Sequence, residues 1–406
     1  MTSRVQADVL VVGGGLAGLV TALECRRAGK HVVLVDRDTP ERFGGLALWA
    51  FGGMALVGTP LQGRMKIPDT PERALQDWLR FGELDPADQH SLAWARYYVE
   101  HSRSEVYDWL LAHGLKFLPA VNWVERGLYG DGNRLPRYHV LWGCSQAMVK
   151  RLFAALQNVD APGSLQVLHR HRALQLDASG GQLRGAVVQD EALGRELRNG
   201  AHPYADGKLH QHVSNDLGGV LVNVGEMWNY AAGFPHPQAH FEGHGLSTIP
   251  CKSALWLDHR GQRIGPQPLV TGFDTHALCQ RVAELDKPWT WHLLNWRIAA
   301  KEFAISGSEH NPRIRDKQLL PFLYETLFGN HRLVRQMQRE VPQFLVDDQL
   351  TGLAAKMNAL TGTSDIDAGA LQRVVDDFDA NFASGQALHN DEQIRRILHA
   401  RQWKPD

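Results

Sequence analysis

The stretch that most limits what this chain can fold into is Val9-Leu10-Val11-Val12-Gly13-Gly14-Gly15-Leu16-Ala17-Gly18, an apolar run that breaks into glycines and restarts as a helix. A strand carries the chain to a tight turn at Gly13, and the missing side chain at Gly15 lets a pyrophosphate reach the backbone. Gly18 lets the new helix lie against the strand. The helix start adds unpaired N–H groups and the positive end of its dipole.

A lone G-x-G-x-x-G pattern is weak, so its surroundings decide. Leu19 to Ala28 reads as a helix closed by Gly29, and His31-Val32-Val33-Leu34-Val35 as a second strand ending in Asp36. That acid stands roughly twenty residues past the glycines, where a carboxylate accepts both hydroxyls of an adenosine ribose. The spacing predicts an α/β, Rossmann-like domain that holds a dinucleotide.

At 406 residues the chain suits two domains, and 21% charged residues is ordinary for a globular protein. A formal net charge of −1 gives no electrostatic reason to expect nucleic acid or an anionic membrane, so the expected partner is a small-molecule substrate. Cys25, Cys144, Cys251 and Cys279 form no C-x-x-C pair, which fits reduced thiols in the cytoplasm. The longest other apolar run, Leu46 to Val57, is too short to span a bilayer, and no membrane anchor is expected.

After Asp36, the glycine pairs Gly44-Gly45 and Gly52-Gly53 suit a backbone lying along a flat ligand, with bulk at Gly45 or Gly52 pushing it away. A plain turn between packed segments explains them equally well. Helices are expected from Thr70 to His113, with Leu75, Trp78 and Leu79 in the core. A loop rich in Arg, Tyr, His and Trp then runs from Trp123 to Gly143, ahead of a helix over 145–156. One strand is expected over Leu165–Leu176, then a turn at Ser179-Gly180-Gly181 and a second strand over 183–188. This hairpin is expected to cross the adenine end of the cofactor. Ser253 to Ile264 reads as a hairpin, and the chain beyond Leu319 as mostly helical. No metal is expected: His240 and His244 stand four apart, but Gly243 and Gly245 oppose the helix that would align them. No G-x-S-x-G elbow is present.

The glycine fingerprint, Asp36, the 44–53 stretch and Trp123-Val124-Glu125-Arg126-Gly127 together resemble FAD-dependent dehydrogenases of the fumarate reductase/3-ketosteroid 1-dehydrogenase superfamily. The likeness is to the bacterial FAD-binding dehydrogenase branch. Ala74-Leu75-Gln76-Asp77-Trp78, Pro136 to Gly143 and Gly225-Glu226-Met227-Trp228-Asn229-Tyr230 fit that branch too. The resemblance implies a Rossmann-like FAD-binding domain with an inserted α+β capping domain. The first would span 1–217 and the cap 218–385, with 386–406 returning toward the FAD-binding domain. Gly13, Gly15, Leu16, Ala17 and Gly18 would hold the pyrophosphate, and Asp36, followed by Arg37, the adenosine ribose. Gly45, Leu46, Ala47, Gly52 and Gly53 would run beside the rest of FAD, Ala173 would offer backbone to the adenine, and Asp206 belongs to a degenerate T-G-D-G turn.

The chemistry so implied is oxidoreduction at a CH–CH bond next to a carbonyl, as in a ketosteroid or an enoate, with a positioned base and donors on the carbonyl oxygen. Tyr230, Arg137, His139 and Trp228 are the candidates for that site, Tyr230 first as base, and Arg263 is a weaker one. Two parts of the family pattern have no counterpart: the A-T-G-G strand and turn, where the chain passes from Arg198 to Asn199, and the G-E-A-x-G segment, expected after Asp406. The expectation is that the full-length protein carries both. An alternative is a non-catalytic nucleotide-binding remnant without a flavin-ring site. A nicotinamide-dependent dehydrogenase suits the fingerprint but leaves the 44–53 stretch unexplained.

Overall fold

The computed structural model describes residues 5–127, 132–177, 184–190, 207–224, 233–239, 244–249, 251–264, 274–385 and 391–400. The opening unit forms as its sequence dictates. Strand β1 (Val9–Val12) leads to helix α1 (Leu16–Arg27) and then β2 (Val32–Val35), which pairs parallel with β1 from Val9↔Val32 to Val12↔Val35. Every residue of β2 is buried, as the centre of a parallel sheet requires. Helix α1 turns Leu19, Ala22 and Leu23 into the core, and Gly29 beyond its end takes φ +76°.

Two 3₁₀ turns, Pro40–Arg42 and Gly45–Leu48, lead to β3 (Gly53–Ala55). Helix α2 (Pro60–Arg64) starts on a capping box between Thr59 and Gln62, and α3 (Pro71–Phe81) on the Thr70 hydroxyl, which accepts from the Arg73 N–H. Helix α4 (Gln89–His101) continues through a π-helical stretch, Ser102–Asp108, into α5 (Trp109–Ala112). Trp78 does not join the core as expected: the buried face of α3 is Ala74 and Asp77, because Asp77 collects arginines from the following loop.

Strands β4 (Phe117–Asn122) and β5 (Tyr138–Leu141) complete an antiparallel sheet in the order β3-β5-β4, and α6 (Cys144–Gln157) packs on α1. The single strand expected over 165–176 is two. Strand β6 (Leu165–Leu168) joins β2 in parallel, Arg170 turns the chain at φ +60°, and β7 (His171–Asp177) pairs antiparallel with β8 (Gly185–Asp190). The residues of the expected turn between them lie outside the described ones. One core binds this part, from Val11, Leu19, Leu23, Val32 and Leu34 to Leu141, Met148 and Leu152.

The remainder begins with α7 (Lys208–Asp216). A small antiparallel sheet is built from β9 (Gly233–Pro235), β10 (Gly245–Ile249) and, later in the chain, the two-residue strand Ala304–Ile305. Strand β11 (Leu255–Leu257) is followed by α8 (Thr275–Ala283), β12 (Trp291–Leu293), α9 (Trp296–Glu302) and β13 (Ala304–Ile305). The hairpin expected over 253–264 forms in short form. Gly261 turns the chain at φ +77°, Leu257 bridges Arg263 antiparallel, and the Asp258 and Ile264 N–H groups donate to the Gln262 and Trp256 carbonyls, while β11 takes β12 as its ladder partner. Helices α10 (Pro312–Arg315), α11 (Leu319–Phe328), α12 (His331–Glu340), α13 (Leu350–Thr361), α14 (Ala368–Ala383) and α15 (Glu392–Ala400) follow. Helices α13 and α14 bury Met357 and Leu371 against Leu255 and Leu257, and α12 buries Leu333 and Met337 against Leu246 and Ile305. Ahead of α15, Asp391 pairs with Arg263, and Gln393 donates to the carbonyls of Lys252 and Ala254. Among the described residues no helix is long and apolar enough to cross a membrane.

Candidate cofactor and substrate site

Each fingerprint glycine has a distinct physical reason. Gly13 sits at φ +100°, and its N–H donates to the Val35 carbonyl oxygen. A Cβ on Gly18 would stand 1.9 Å from the Gly13 carbonyl oxygen, so helix and turn touch only because it is absent. At Gly15 a Cβ would meet nothing within 4 Å, which is the open space a pyrophosphate needs. Helix α1 starts there with no side-chain cap and no acid in its first turn, leaving the N–H groups of Leu16, Ala17 and Gly18 to an anion. Ala17 is exposed, and Val12 and Leu46 at the rim are 39% and 50% exposed, apolar surface for a ligand to cover.

Asp36 is held ready for a ribose. Its Oδ2 accepts from the Gly14 N–H at 2.5 Å and its Oδ1 from the Asp38 N–H at 2.7 Å, leaving carboxylate lone pairs for hydroxyl donors. Arg37 beside it is half-buried. The His171 N–H donates to the Asp36 carbonyl at 2.9 Å, which sets β7, with Ala173 two residues on, against this acid. Gly45 closes the cradle from the other side: at φ +58°, a Cβ there would be 3.6 Å from the Gly15 Cα. Ala47 follows, half-buried. Gly52 and Gly53 have another cause. A Cβ on Gly52 would meet the Ser145 backbone nitrogen at 2.7 Å, and one on Gly53 the Tyr138 ring at 1.9 Å, so neighbouring protein occupies the room expected for ligand.

Arg137 and His139, expected to face a substrate, are corrected. Arg137 is 4% exposed and pairs with Asp69 at 2.8 Å and Asp77 at 2.7 Å, with a further bond to the Asn133 side chain. His139 is fully buried between the Thr59 hydroxyl (2.8 Å) and the Arg137 carbonyl (2.7 Å), and burial pushes its pKa down to about 4. Both hold strands and turns together. Arg263 likewise pairs with Asp391 at 2.6 Å and lies over the Phe378 ring. Glu125 accepts from the N–H and hydroxyl of Thr275. Tyr230, Trp228 and Asp206 lie outside the described residues, as does His240.

A cluster the motifs did not point to lies between β9, β10 and the loop after β13. His236 Nε2 is 3.2 Å from Glu309 Oε2 and 3.5 Å from His310 Nε2, and the His244 ring stacks on His236 with centroids 4.2 Å apart. The loop is fixed by the Asn311 amide, which donates to the Ile305 and Gly307 carbonyls. The Ser308 N–H donates to the Trp49 carbonyl at 2.9 Å, and Trp49 directly follows the turn that carries Gly45. Seventy-three residues separate His236 from Glu309, so no local pattern could announce the cluster.

Comparison with known proteins places this geometry. Residues 8–203 match the model of an FAD binding domain. A KsdD-like steroid dehydrogenase of Mycolicibacterium smegmatis is 32% identical over 453 residues, covering 98% of this chain and 82% of that protein. The chain belongs to the KsdD-like family of FAD-dependent dehydrogenases. A KsdD-like steroid dehydrogenase of Mycobacterium tuberculosis shows the same 32% identity, covering 98% of this chain and 79% of its own. These alignments are longer than the 406-residue chain, so the relatives carry stretches without a counterpart in it. The fold is similar to that of 3-ketosteroid-Δ4-(5α)-dehydrogenase from Rhodococcus jostii RHA1, with a TM-score of 0.54, 18% identity, and 95% of this chain and 80% of that one covered. It is also similar to the open conformation of a flavocytochrome c3 fumarate reductase, with a TM-score of 0.57, 16% identity, and 94% of this chain and 62% of that one covered. In this KsdD-like family member the cofactor is FAD, and the open α1 terminus, Asp36 and the apolar rim fit it.

Proposed function

We propose that this FAD-dependent dehydrogenase removes two hydrogens from a CH–CH bond next to the carbonyl of a ketosteroid-like small molecule. The observation that carries the reading is likeness to steroid dehydrogenases along 98% of the chain, with the cradle those enzymes would need formed in it. Gly15, Leu16, Ala17 and Gly18 hold the pyrophosphate, Asp36 and Arg37 the ribose, and Ala173 the adenine. FAD, when bound, supplies the acceptor for hydride. Residues 1–217 make the cofactor domain and 218–385 the cap, where Trp228 and Tyr230 line the substrate. Four free cysteines fit a reducing, cytoplasmic setting.

The test is anaerobic reduction of the FAD-loaded protein. A 3-ketosteroid is expected to bleach the flavin absorbance, and the matching 3-deoxy steroid, which lacks the activating carbonyl, to leave it unchanged. Absence of bleaching with every 3-ketosteroid tried, saturated or unsaturated, overturns the reading.

A further inference from the structure

We propose that Glu309 is the base that takes the proton next to the substrate's carbonyl, held in position by His236, which His310 backs. The assignment rests on the dehydrogenase reading above. It starts from the tautomer of His236. The Gln238 N–H donates to Nδ1 at 3.0 Å, so the ring's own proton is on Nε2, the nitrogen that faces the Glu309 carboxylate. The same three residues bring possible ligand atoms within 4.8 Å of one another, as a metal site would. A metal needs the bare lone pair of a ring nitrogen, and the one that His236 turns to the cluster carries hydrogen.

What remains is an acid–base group. An N–H aimed at a carboxylate favours its charged form, the form that accepts a proton. The His236 side chain is 3% exposed and that of Glu309 is 29%, so Glu309 is the more accessible of the two. His310 is buried, and its Nδ1 has no hydrogen-bond partner among the described residues. The Ser308–Trp49 bond sets the loop against the stretch that carries Gly45. Among the described residues, the charged and titratable groups acting on the cluster besides His236 and His310 include the stacked His244, with Arg315, Arg332 and Glu340.

In the step, the C–H bond next to the carbonyl breaks and its proton passes to a Glu309 oxygen. Its electron pair enters the new C=C bond as the neighbouring carbon gives up hydride, for which FAD, when bound, would be the acceptor. Glu309 then returns the proton to solvent on its open side.

The experiment uses holoenzyme and 4-androstene-3,17-dione, and follows exchange of the hydrogens beside the C3 carbonyl into D2O by NMR, together with steady-state turnover. Glu309→Gln is expected to lose at least about a hundredfold in both, with the FAD spectrum and melting temperature retained, and Glu309→Asp to keep part of both. His236→Leu removes the donor to the carboxylate, so the acid limb of the turnover–pH profile moves to higher pH. A merely structural His236 would lower turnover without moving the limb. Wild-type exchange and turnover in Glu309→Gln overturn the assignment and leave the dehydrogenase reading standing. Loss of exchange in Tyr230→Phe but not in Glu309→Gln makes Tyr230 the base and also overturns it. If 3-ketosteroids fail to reduce the wild-type flavin, both readings fall.

Discussion

The cradle at Gly13–Gly18 and the knot around Arg137 both carry the marks of function in the sequence, and they are opposites in the fold. The cradle consists of main-chain donors left without partners at the start of α1, beside a glycine with open space around it. In the knot, Asp69 and Asp77 take up the Arg137 guanidinium, and both ring nitrogens of His139 are engaged. Chemistry-bearing residue types are common to both; unspent hydrogen-bonding capacity belongs to the cradle. That capacity, rather than the presence of Arg or His, separates a binding site from a brace.

The contrast can be broken by substitution. The largest effect is expected from Arg137→Ala, which leaves Asp69 buried without its cation while Asp77 keeps Arg80 and Arg134, and should cost about 3–5 kcal/mol in denaturant unfolding. A loss under about 1 kcal/mol would mean the knot is no brace. Gly18→Ala comes next, because its Cβ would strike backbone; about 3 kcal/mol of stability should go. Third is a pH effect at His139. Burial holds its folded pKa near 4, below the ordinary 6.5, so its contribution is complete above pH 6.5 and is lost as pH falls toward 4. Between pH 6.5 and 5 the loss is about 2 kcal/mol, and a His139→Gln variant should show a shallower decline in unfolding free energy over that range. The smallest stability change is expected from Gly15→Ala, within about 0.5 kcal/mol. Its FAD affinity should nonetheless drop about tenfold or more by equilibrium titration. Equal losses of stability in Gly15→Ala and Gly18→Ala would erase the distinction between the space kept for ligand and the space kept for packing.

Much of the first half was legible because its determinants are contiguous. Hydrophobic runs, glycines and caps such as Thr70 act within a few residues of where they stand, and β1, α1, β2 and α3 follow them. The split of the 165–176 strand was hidden, since only pairing with β2 on one side and β8 on the other shows why the chain must turn at Arg170. Gly52 and Gly53 looked like Gly45, but their neighbours, Ser145 and Tyr138, are far along the chain. His236, Glu309 and His310 lie beyond local reading altogether: a strand end and a loop far apart in the chain meet only once β9, β10 and β13 pair.

The tie between the Ser308 N–H and the Trp49 carbonyl uses main-chain atoms alone. The bond itself asks nothing of either side chain except that residue 308 not be proline, although Ser308 is buried and only a small side chain fits there. The register between the loop after β13 and the glycine stretch is therefore carried by the backbone rather than by a side-chain hydrogen bond. A change at the partly exposed Glu309 therefore leaves this tie in place, so a lineage built on this fold can alter the chemistry of the loop without rebuilding its backbone geometry.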